Sequence, residues 1–185
     1  MSDDTILVSR VLAGNPHAFR QLVKQHERLV WHMVSRVANR PQDSEDICQE
    51  VFLRVYQKLP LFRHQSKLST WIATIAYRTA INHAKKEHKH ISEDLDQASV
   101  YLQETPDAHE QLEKEAVHTY VHEQMSKLPV QYKTILTLFH LEEMSLVEIQ
   151  QIMDMPVGTV KNYLFRARKL LKDRLQERYS KEELL

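Results

Sequence analysis

The stretch Ser145–Arg178, SLVEIQQIMDMPVGTVKNYLFRARKLLKDRLQER, decides the fold of this chain. Ser145 is suited to cap a short helix whose apolar residues recur at helical spacing, and Asp154–Pro156 makes a tight break. A second helix is predicted from Val157 to about Arg178. A short helix, a three-residue turn and a longer helix form the pattern of a helix-turn-helix.

The second of these helices has two chemically different faces. At 3.6 residues per turn, one side is apolar and carries Val157, Val160, Leu164, Ala167, Leu171 and Leu175. The opposite side carries Gly158, Lys161, Asn162, Phe165, Arg166, Lys169 and Lys172. An ordinary amphipathic surface helix would also show this division. The short helix and turn before it, and an aromatic ring on its polar side, favour a DNA recognition helix instead.

The cationic face of that helix offers groups for both bases and phosphates. Lys161, Asn162 and Arg166 fall in the first three turns, where donors can reach the edges of guanine or adenine. Phe165 could contact a thymine methyl group or a sugar. Lys169 and Lys172 lie further along the helix, where phosphate contacts are expected. Tyr163 and Arg168 flank the apolar side, where packing is at least as good an interpretation.

The rest of the chain also predicts helices, so we expect an all-α fold. Only 2 of 185 residues are glycine and 8% are aromatic, which leaves little material for a β-rich fold. Residues 1–90 are predicted to form one small helical domain and residues 112–185 a second. The acidic segment 91–111 has weak periodicity and contains Pro106, which is typical of a flexible linker.

Helix boundaries in the first domain follow from punctuating residues. Ile6, Leu7 and Val11 suggest a first helix that ends at Gly14, and a long apolar stripe runs from Phe19 to Val37. Asp43 or Ser44 is predicted to cap a helix that ends near Leu59. Residues 61–68 are predicted as a loop, and Ser69 as the cap of a helix that continues to about Lys86.

The helix from Asp43 to Leu59 has a surface suited to a protein partner. Ile47, Val51 and Val55 form its inner stripe. The far face carries Asp46, Gln49, Leu53 and Gln57, with Glu50 to one side. An exposed leucine with a polar rim resembles the anchor of a protein interface, although single exposed leucines are common.

The predicted loop and the helix after it combine aromatic and cationic residues. These are Phe62, Arg63, Lys67 and Trp71, followed by Arg78, Asn82 and Lys85 on one stripe. Rings that stack on bases and cations that follow the backbone are what opened single-stranded DNA requires. Trp71 is equally suited to a core position.

Charge and cysteine content restrict the class of protein. The 25 cations balance the 25 acids, but residues 157–178 hold seven cations against two acids, so a basic face for phosphates is possible. Cys48 is the only cysteine, which excludes an internal disulfide and suits a reducing cytoplasm. The N-terminus lacks a signal-peptide pattern, and no apolar stretch approaches the ~20 residues of a membrane span. We therefore expect a cytoplasmic protein without membrane insertion.

Three blocks together resemble the extracytoplasmic-function group of bacterial sigma factors. Asp46–Phe52 resembles the helix of sigma region two that docks on the polymerase. Leu61–Arg63 and Ser69–Ile72 resemble its promoter-melting segment. Pro156–Asn162 with Arg166–Arg168 resembles the recognition helix of region four. The resemblance covers nearly the whole chain.

This resemblance implies partners and site residues. Asp46, Gln49, Glu50 and Leu53 would bind core RNA polymerase at its β′ clamp helices, and region four would meet the β flap. Phe62, Arg63, Lys67, Trp71, Arg78, Asn82 and Lys85 would read and melt the minus-ten element, holding a flipped base of the non-template strand. Thr159, Lys161, Asn162, Phe165, Arg166 and Lys169 would read the minus-thirty-five element. An anti-sigma factor is expected as a further partner, and the free chain is expected to be monomeric.

Two other classes of protein remain as alternatives. A conventional helix-turn-helix regulator would form a homodimer on a palindrome and would not bind polymerase. An enzyme could use a metal at His118 and His122, which share a helix face at i, i+4 spacing. However, Thr119 stands where the zinc-protease pattern needs a glutamate, and no glycine-rich phosphate loop is present. No catalytic residue, metal or cofactor is therefore expected.

Overall fold

The computed structural model describes residues 3–38, 41–91 and 120–182. The regular elements in these ranges are helices, and no strand occurs among them. The all-α prediction is therefore confirmed. We call residues 3–91 the N-terminal unit and residues 120–182 the C-terminal unit. The predicted acidic linker lies outside the described residues, apart from Ile91, which ends a helix.

The N-terminal unit is built from four helices. They are α1 (Asp3–Leu12), α2 (Pro16–Ser35), α3 (Pro41–Lys58) and α4 (Leu68–Ile91), with a short 3₁₀ turn at Leu59–Leu61 after α3. Helix α2 packs against α1, α3 and α4, so it forms the centre of the unit. The fully buried side chains there include Leu22, Val30, Met33, Val51, Leu68 and Ile72.

The junction between α1 and α2 follows the predicted chemistry. Gly14 has φ of +80°, a conformation that glycine adopts without the steric cost of a side chain. The Asn15 side chain then accepts hydrogen bonds from the backbone N–H groups of His17 (2.9 Å) and Ala18 (3.2 Å). Pro16 occupies the first helical turn, where its missing N–H costs nothing. Helix α1 ends at Leu12, and the prediction that Gly14 and Asn15 close it before Pro16 is confirmed.

Several local predictions in the N-terminal unit were wrong. Helix α3 begins at Pro41, so Asp43 lies in its first turn and Ser44 is buried rather than capping. Helix α4 begins at Leu68, ahead of Ser69, and the Leu68 N–H instead donates to the Asp4 carboxylate (3.4 Å). Helix α4 ends at Ile91, five residues beyond its predicted end at Lys86. In α1, Val8 is buried and Ile6 is exposed.

The C-terminal unit contains the helix-turn-helix. Residues 120–126 are helical (α5), followed by α6 (Val130–Leu136), a π-helical turn (Thr137–Leu141), α7 (Leu146–Met153) and α8 (Val157–Glu182). The π turn follows directly on Leu136, where the regular α-helix ends. Helix α8 packs against α6 and α7 around Ile135, Leu138, Ile149, Ile152 and Val160.

The two units touch along α4 and α7.

Cys48 lies half-buried within the N-terminal unit, and burial, with a smaller contribution from Glu45, raises the pKa of its thiol to about 11. Across the described helices, none offers a stretch long and apolar enough to cross a membrane.

Candidate nucleic-acid interface

The turn of the helix-turn-helix is fixed by local hydrogen bonds. The Ser145 hydroxyl accepts from the Glu148 N–H (3.3 Å), and the Ser145 N–H donates to the Glu148 carboxylate (2.9 Å). This reciprocal pair is a capping box, and it confirms the predicted cap of α7. At the other end Asp154 has φ of +54°, which closes α7 and redirects the chain into α8.

One face of α8 is docked as predicted. Val160, Leu164 and Ala167 are buried. Tyr163 packs edge-on against Tyr132, with 5.4 Å between ring centroids. The residues beside the apolar stripe therefore take part in packing.

Arg168 shows the same packing role. Its guanidinium carbon lies 4.9 Å from the Phe139 ring centroid, and its Nε donates to Nε2 of His140 (3.1 Å). Burial, assisted by the charge of Arg168, lowers the pKa of His140, so the neutral ring is the form that accepts this bond. Arg168 thus fixes α8 against the π turn.

The opposite face of α8 is exposed. Phe165 is 71% exposed, and the exposed polar residues on this face are Lys161, Asn162, Arg166, Lys169 and Lys172. Thr159 is half-buried at the edge of the face.

The α3 face is also exposed where the anchor was predicted. Leu53 is 62% exposed, and Asp46 and Gln49 beside it are exposed as well. Tyr56, which sequence analysis did not single out, adds a second exposed apolar group on α3.

Glu50 differs from its neighbours on α3 because it is already paired. Its carboxylate accepts from Arg54 Nε (2.8 Å) and contacts His83 of α4. The His83 hydrogen bond, followed by that of Arg54, holds the pKa of Glu50 below its usual value. Glu50 therefore ties α3 to α4 at the edge of the exposed face.

The predicted downstream DNA residues fall into three groups. Phe62 is buried and packs against Trp71 (5.2 Å between centroids) and His64 (4.6 Å). Trp71 itself is half-buried. Arg63, Asn82 and Lys85 are exposed.

Lys67 and Arg78 form the third group, because acids of the C-terminal unit pair with them. Lys67 Nζ lies 3.0 Å from Oε1 of Glu148. Arg78 lies 3.7 Å from the Asp154 carboxylate. Two of the predicted DNA-binding cations therefore contact the C-terminal unit in this conformation.

Three basic residues that sequence analysis missed, at the C-terminal half and end of α2, also contact the C-terminal unit. Arg28 and His32 lie in α2, and Arg36 is its C-cap. Their spacing of i, i+4 and i+8 places them on the same side. Arg28 donates to the Leu141 carbonyl (3.4 Å), and His32 pairs with Glu142. The regular spacing of these basic residues is the feature of the sequence that could have identified them.

Arg36 is the most deeply placed of the three, with 6% of its surface exposed. Its Nε donates to the Thr137 hydroxyl (3.1 Å), and its Nη1 contacts Nε2 of His122 (2.5 Å). His122 is thereby bonded to arginine rather than placed with other metal ligands, and His118 lies outside the described residues. Within the described ranges, no three His, Cys, Asp or Glu side chains are grouped to hold a metal.

Comparisons with known proteins give a family match in each unit. The family description "Sigma-70 region 2" matches residues 22–90, and "Sigma-70, region 4" matches residues 118–171. The ECF RNA polymerase sigma-E factor of Haemophilus influenzae is 32% identical over 94% of this chain and 95% of its own. The sigma-E factor of Escherichia coli K12 is 33% identical over 94% of both chains.

Solved structures share the fold. A sigma factor RpoE from Bartonella quintana, in complex with the anti-sigma factor NepR, has a TM-score of 0.73 at 18% identity, covering 85% of this chain and 96% of its own. CnrH, in complex with the cytosolic domain of CnrY, has a TM-score of 0.68 at 20% identity, covering 95% of this chain and 99% of its own. The chain therefore belongs to the extracytoplasmic-function group of bacterial RNA polymerase sigma factors, the non-enzymatic proteins that direct transcription, and not to the dimeric regulators or to an enzyme family.

Proposed function

We propose that this sigma factor docks on core RNA polymerase through α3 and reads two promoter elements with separate units. The observation that carries the proposal is the exposure of two dissimilar surfaces on different units. One is the α3 face around Leu53, and the other is the cationic α8 face around Phe165. A protein that joins a polymerase to a promoter needs both kinds of surface at once.

For the upstream, minus-thirty-five element, α8 enters the major groove. Lys161, Asn162 and Arg166 contact base edges, and Phe165 supplies an apolar contact. Thr159 and Lys169 meet the backbone at either end of this face. The exposure of all but Thr159 supports this assignment.

For the downstream, minus-ten element, the segment 62–68 and one stripe of α4 hold the opened strand. Arg63, Lys67, Arg78 and Lys85 follow the phosphates, and Asn82 contacts the adjoining duplex. The Phe62–Trp71 pair forms the wall against which a flipped base rests, because stacking on a ring repays the cost of leaving the duplex.

For the polymerase, the α3 face meets the β′ clamp helices, with Leu53 as anchor and Asp46, Gln49 and Glu50 as its polar rim. The C-terminal unit meets the β flap. The free protein is a cytoplasmic monomer, and its further partner is an anti-sigma factor. Support for that last partner is the likeness to the Bartonella quintana sigma factor, which was solved in complex with one.

The experiment that tests the docking surface is run-off transcription with core polymerase and Leu53→Asp. We expect the variant to lose core binding and transcription, because a carboxylate replaces the apolar anchor, while helical content by circular dichroism stays unchanged.

Leu12→Asp is the matched control, because Leu12 is also an exposed leucine of the N-terminal unit but lies on α1. It should leave core binding intact. Unchanged core affinity in Leu53→Asp would remove the docking surface from α3, and failure of the unmodified chain to direct any start site would remove the whole proposal.

A further inference from the structure

The contact around Arg36 differs from the ion pairs elsewhere between the two units, because neutral groups take the place of acids. Lys67, for example, pairs with the carboxylate of Glu148. Arg36 instead donates from Nε to the Thr137 hydroxyl (3.1 Å) and contacts Nε2 of His122 (2.5 Å). A guanidinium can only donate, so both partners act as acceptors and neither carries a negative charge.

Burial makes this unbalanced charge costly. Arg36 is nearly buried, and burial lowers the pKa of its guanidinium. An arginine side chain nevertheless stays protonated in a protein, so it cannot relieve the cost by losing its proton. Charged groups removed from water are normally paired with an opposite charge. The end of α2 therefore holds a permanent positive charge that its contacts do not neutralise.

Lys133 of α6 adds a second cation to the same place. It is half-buried and lies one helical turn before Thr137, so the two residues share a side of the helix. Burial, and after it the charge of Arg36, lower the pKa of Lys133. In the described ranges, no carboxylate forms an ion pair with either cation. The two cations therefore repel each other, and no acid of those ranges compensates them.

The same group of residues has an excess of hydrogen-bond donors. Arg36 carries five N–H groups, and its two contacts occupy two of them. Lys133 contributes an ammonium group. Thr134, next to Lys133, is fully buried, and its hydroxyl has no hydrogen-bond partner within the part of the chain that the structure describes. These donors are suited to a shared acceptor, because buried polar groups are almost always hydrogen-bonded.

Exposure limits the size of such an acceptor. Arg36 is almost closed to solvent, whereas Lys133 is half-buried and His122 is exposed, so access to the guanidinium lies beside these two residues. This access suits a small anion and excludes the backbone of a nucleic acid duplex. An oxyanion suits the site better than a monatomic ion, because a planar guanidinium can donate two parallel hydrogen bonds to two oxygens.

From these contacts we infer that Arg36, Lys133 and Thr134 form a binding site for a compact inorganic oxyanion of the size of phosphate. The oxyanion accepts from the guanidinium, the ammonium and the hydroxyl, and its negative charge ends the repulsion between the two cations. None of these residues belongs to the surfaces assigned to promoter DNA or to polymerase, so the site does not depend on those assignments.

The test is a titration of the isotope-labelled full chain with sodium phosphate, followed by amide NMR spectroscopy at constant ionic strength. The backbone amides of Thr134 and Thr137 report on the site itself and not on the cationic face of α8. Their shifts should saturate with a dissociation constant of about 1 mM, the affinity expected of about two charge-assisted hydrogen bonds. Sodium chloride at the same ionic strength should leave both amides unchanged.

Lys133→Met removes one cation and keeps an apolar side chain of similar length. Phosphate should bind this variant at least about tenfold more weakly, as expected for the loss of one charge-assisted hydrogen bond. Its unfolding midpoint in phosphate-free buffer should equal or exceed that of the native chain, because the repulsion from Arg36 is gone. Lys127→Met is the matched control, because it removes the same charge from the C-terminal unit, where Lys127 is exposed and pairs with Glu123. The control should keep the native dissociation constant within about twofold.

Other results would overturn the inference. Absent or non-saturating shifts at Thr134 and Thr137 would show that the native chain has no phosphate site there. An unchanged dissociation constant in Lys133→Met, or a lower unfolding midpoint, would show that the charge of Lys133 is already compensated. Equal shifts in chloride and phosphate would assign the effect to general screening of charge.

Discussion

At the scale of the residue, the exposed face of α8 holds the groups that can discriminate bases. Arg166 is exposed in the third turn and carries the planar donors that match guanine. Lys172, about two turns further along, is also exposed. Under the proposed function, Arg166 reads a base, whereas Lys172 only attracts a phosphate.

Arg166→Ala is therefore expected to lose about 1–3 kcal/mol of discrimination between promoter and scrambled DNA, the size of a lost bidentate base contact. Lys172→Ala should weaken binding to both DNAs alike, since a phosphate contact carries no sequence information. Competition binding by the polymerase complex measures both. An equal loss on promoter and scrambled DNA in Arg166→Ala would show that Arg166 binds phosphate only.

At the scale of the element, α7 is a short helix whose N-terminus is fixed by the capping box of Ser145 and Glu148. Burial alone would raise the pKa of Glu148, but hydrogen bonds from the Ser145 backbone and hydroxyl and from Lys67 outweigh it and lower that pKa to about 2. The carboxylate is thus charged throughout the physiological range. The capping box and the ion pair with Lys67 share this one carboxylate, so the start of α7 and the contact between the units are chemically linked.

The lowered pKa of Glu148 predicts a pH-dependent stability difference. A carboxylate whose folded pKa lies below its unfolded value stabilises the fold fully above about pH 4.5, and the contribution is lost as pH falls towards 2. Glu148→Gln should therefore be about 1 kcal/mol less stable than the native chain at pH 7, and this gap should close on acidification. Urea unfolding at pH 7, 4.5 and 3 measures it. A gap that stays constant over this range would assign the effect to packing.

Helix-level sequence reasoning succeeded where the signal was local. The buried stripe of α8, the Ser145 cap and the exposed Leu53 all follow from spacing within one helix. It failed at the start of α4, where Asp4 of α1 reaches the Leu68 N–H across 64 residues of chain. The helix-capping propensity of Ser69 could not reveal that Asp4, brought close only by the tertiary structure, accepts from the first N–H of α4.

At the scale of the whole molecule, the packing of the two units was beyond sequence reasoning. Arg28, His32 and Arg36 appear as an ordinary basic surface stripe, because their partners lie about a hundred residues away. The same holds for Lys67 and Arg78, whose residue types suit DNA and carboxylates equally. The family could be predicted from motifs within each unit, but the contacts between the units could not.

The exposed α3 face gives a kinetic prediction at this scale. Because Leu53 is accessible while α4 and α7 are in contact, first encounter with core polymerase does not require the two units to separate. The association rate constant of Glu148→Gln/Asp154→Asn, which removes the acids that pair with Lys67 and Arg78, should equal that of the native chain within about twofold when it is followed by stopped-flow fluorescence. A rate at least tenfold faster in the variant would mean that separation of the units precedes docking.

The half-buried thiol of Cys48 has a practical consequence for measuring the distance between the two units. Maleimides react with the thiolate, and a sulfhydryl with a pKa of about 11 is almost entirely protonated near neutrality. Cysteines introduced at exposed positions, such as Gln57 on α3 and Lys172 on α8, would take up a donor and an acceptor dye far faster than the natural one. The distance between the two units can thus be measured by energy transfer without replacing Cys48.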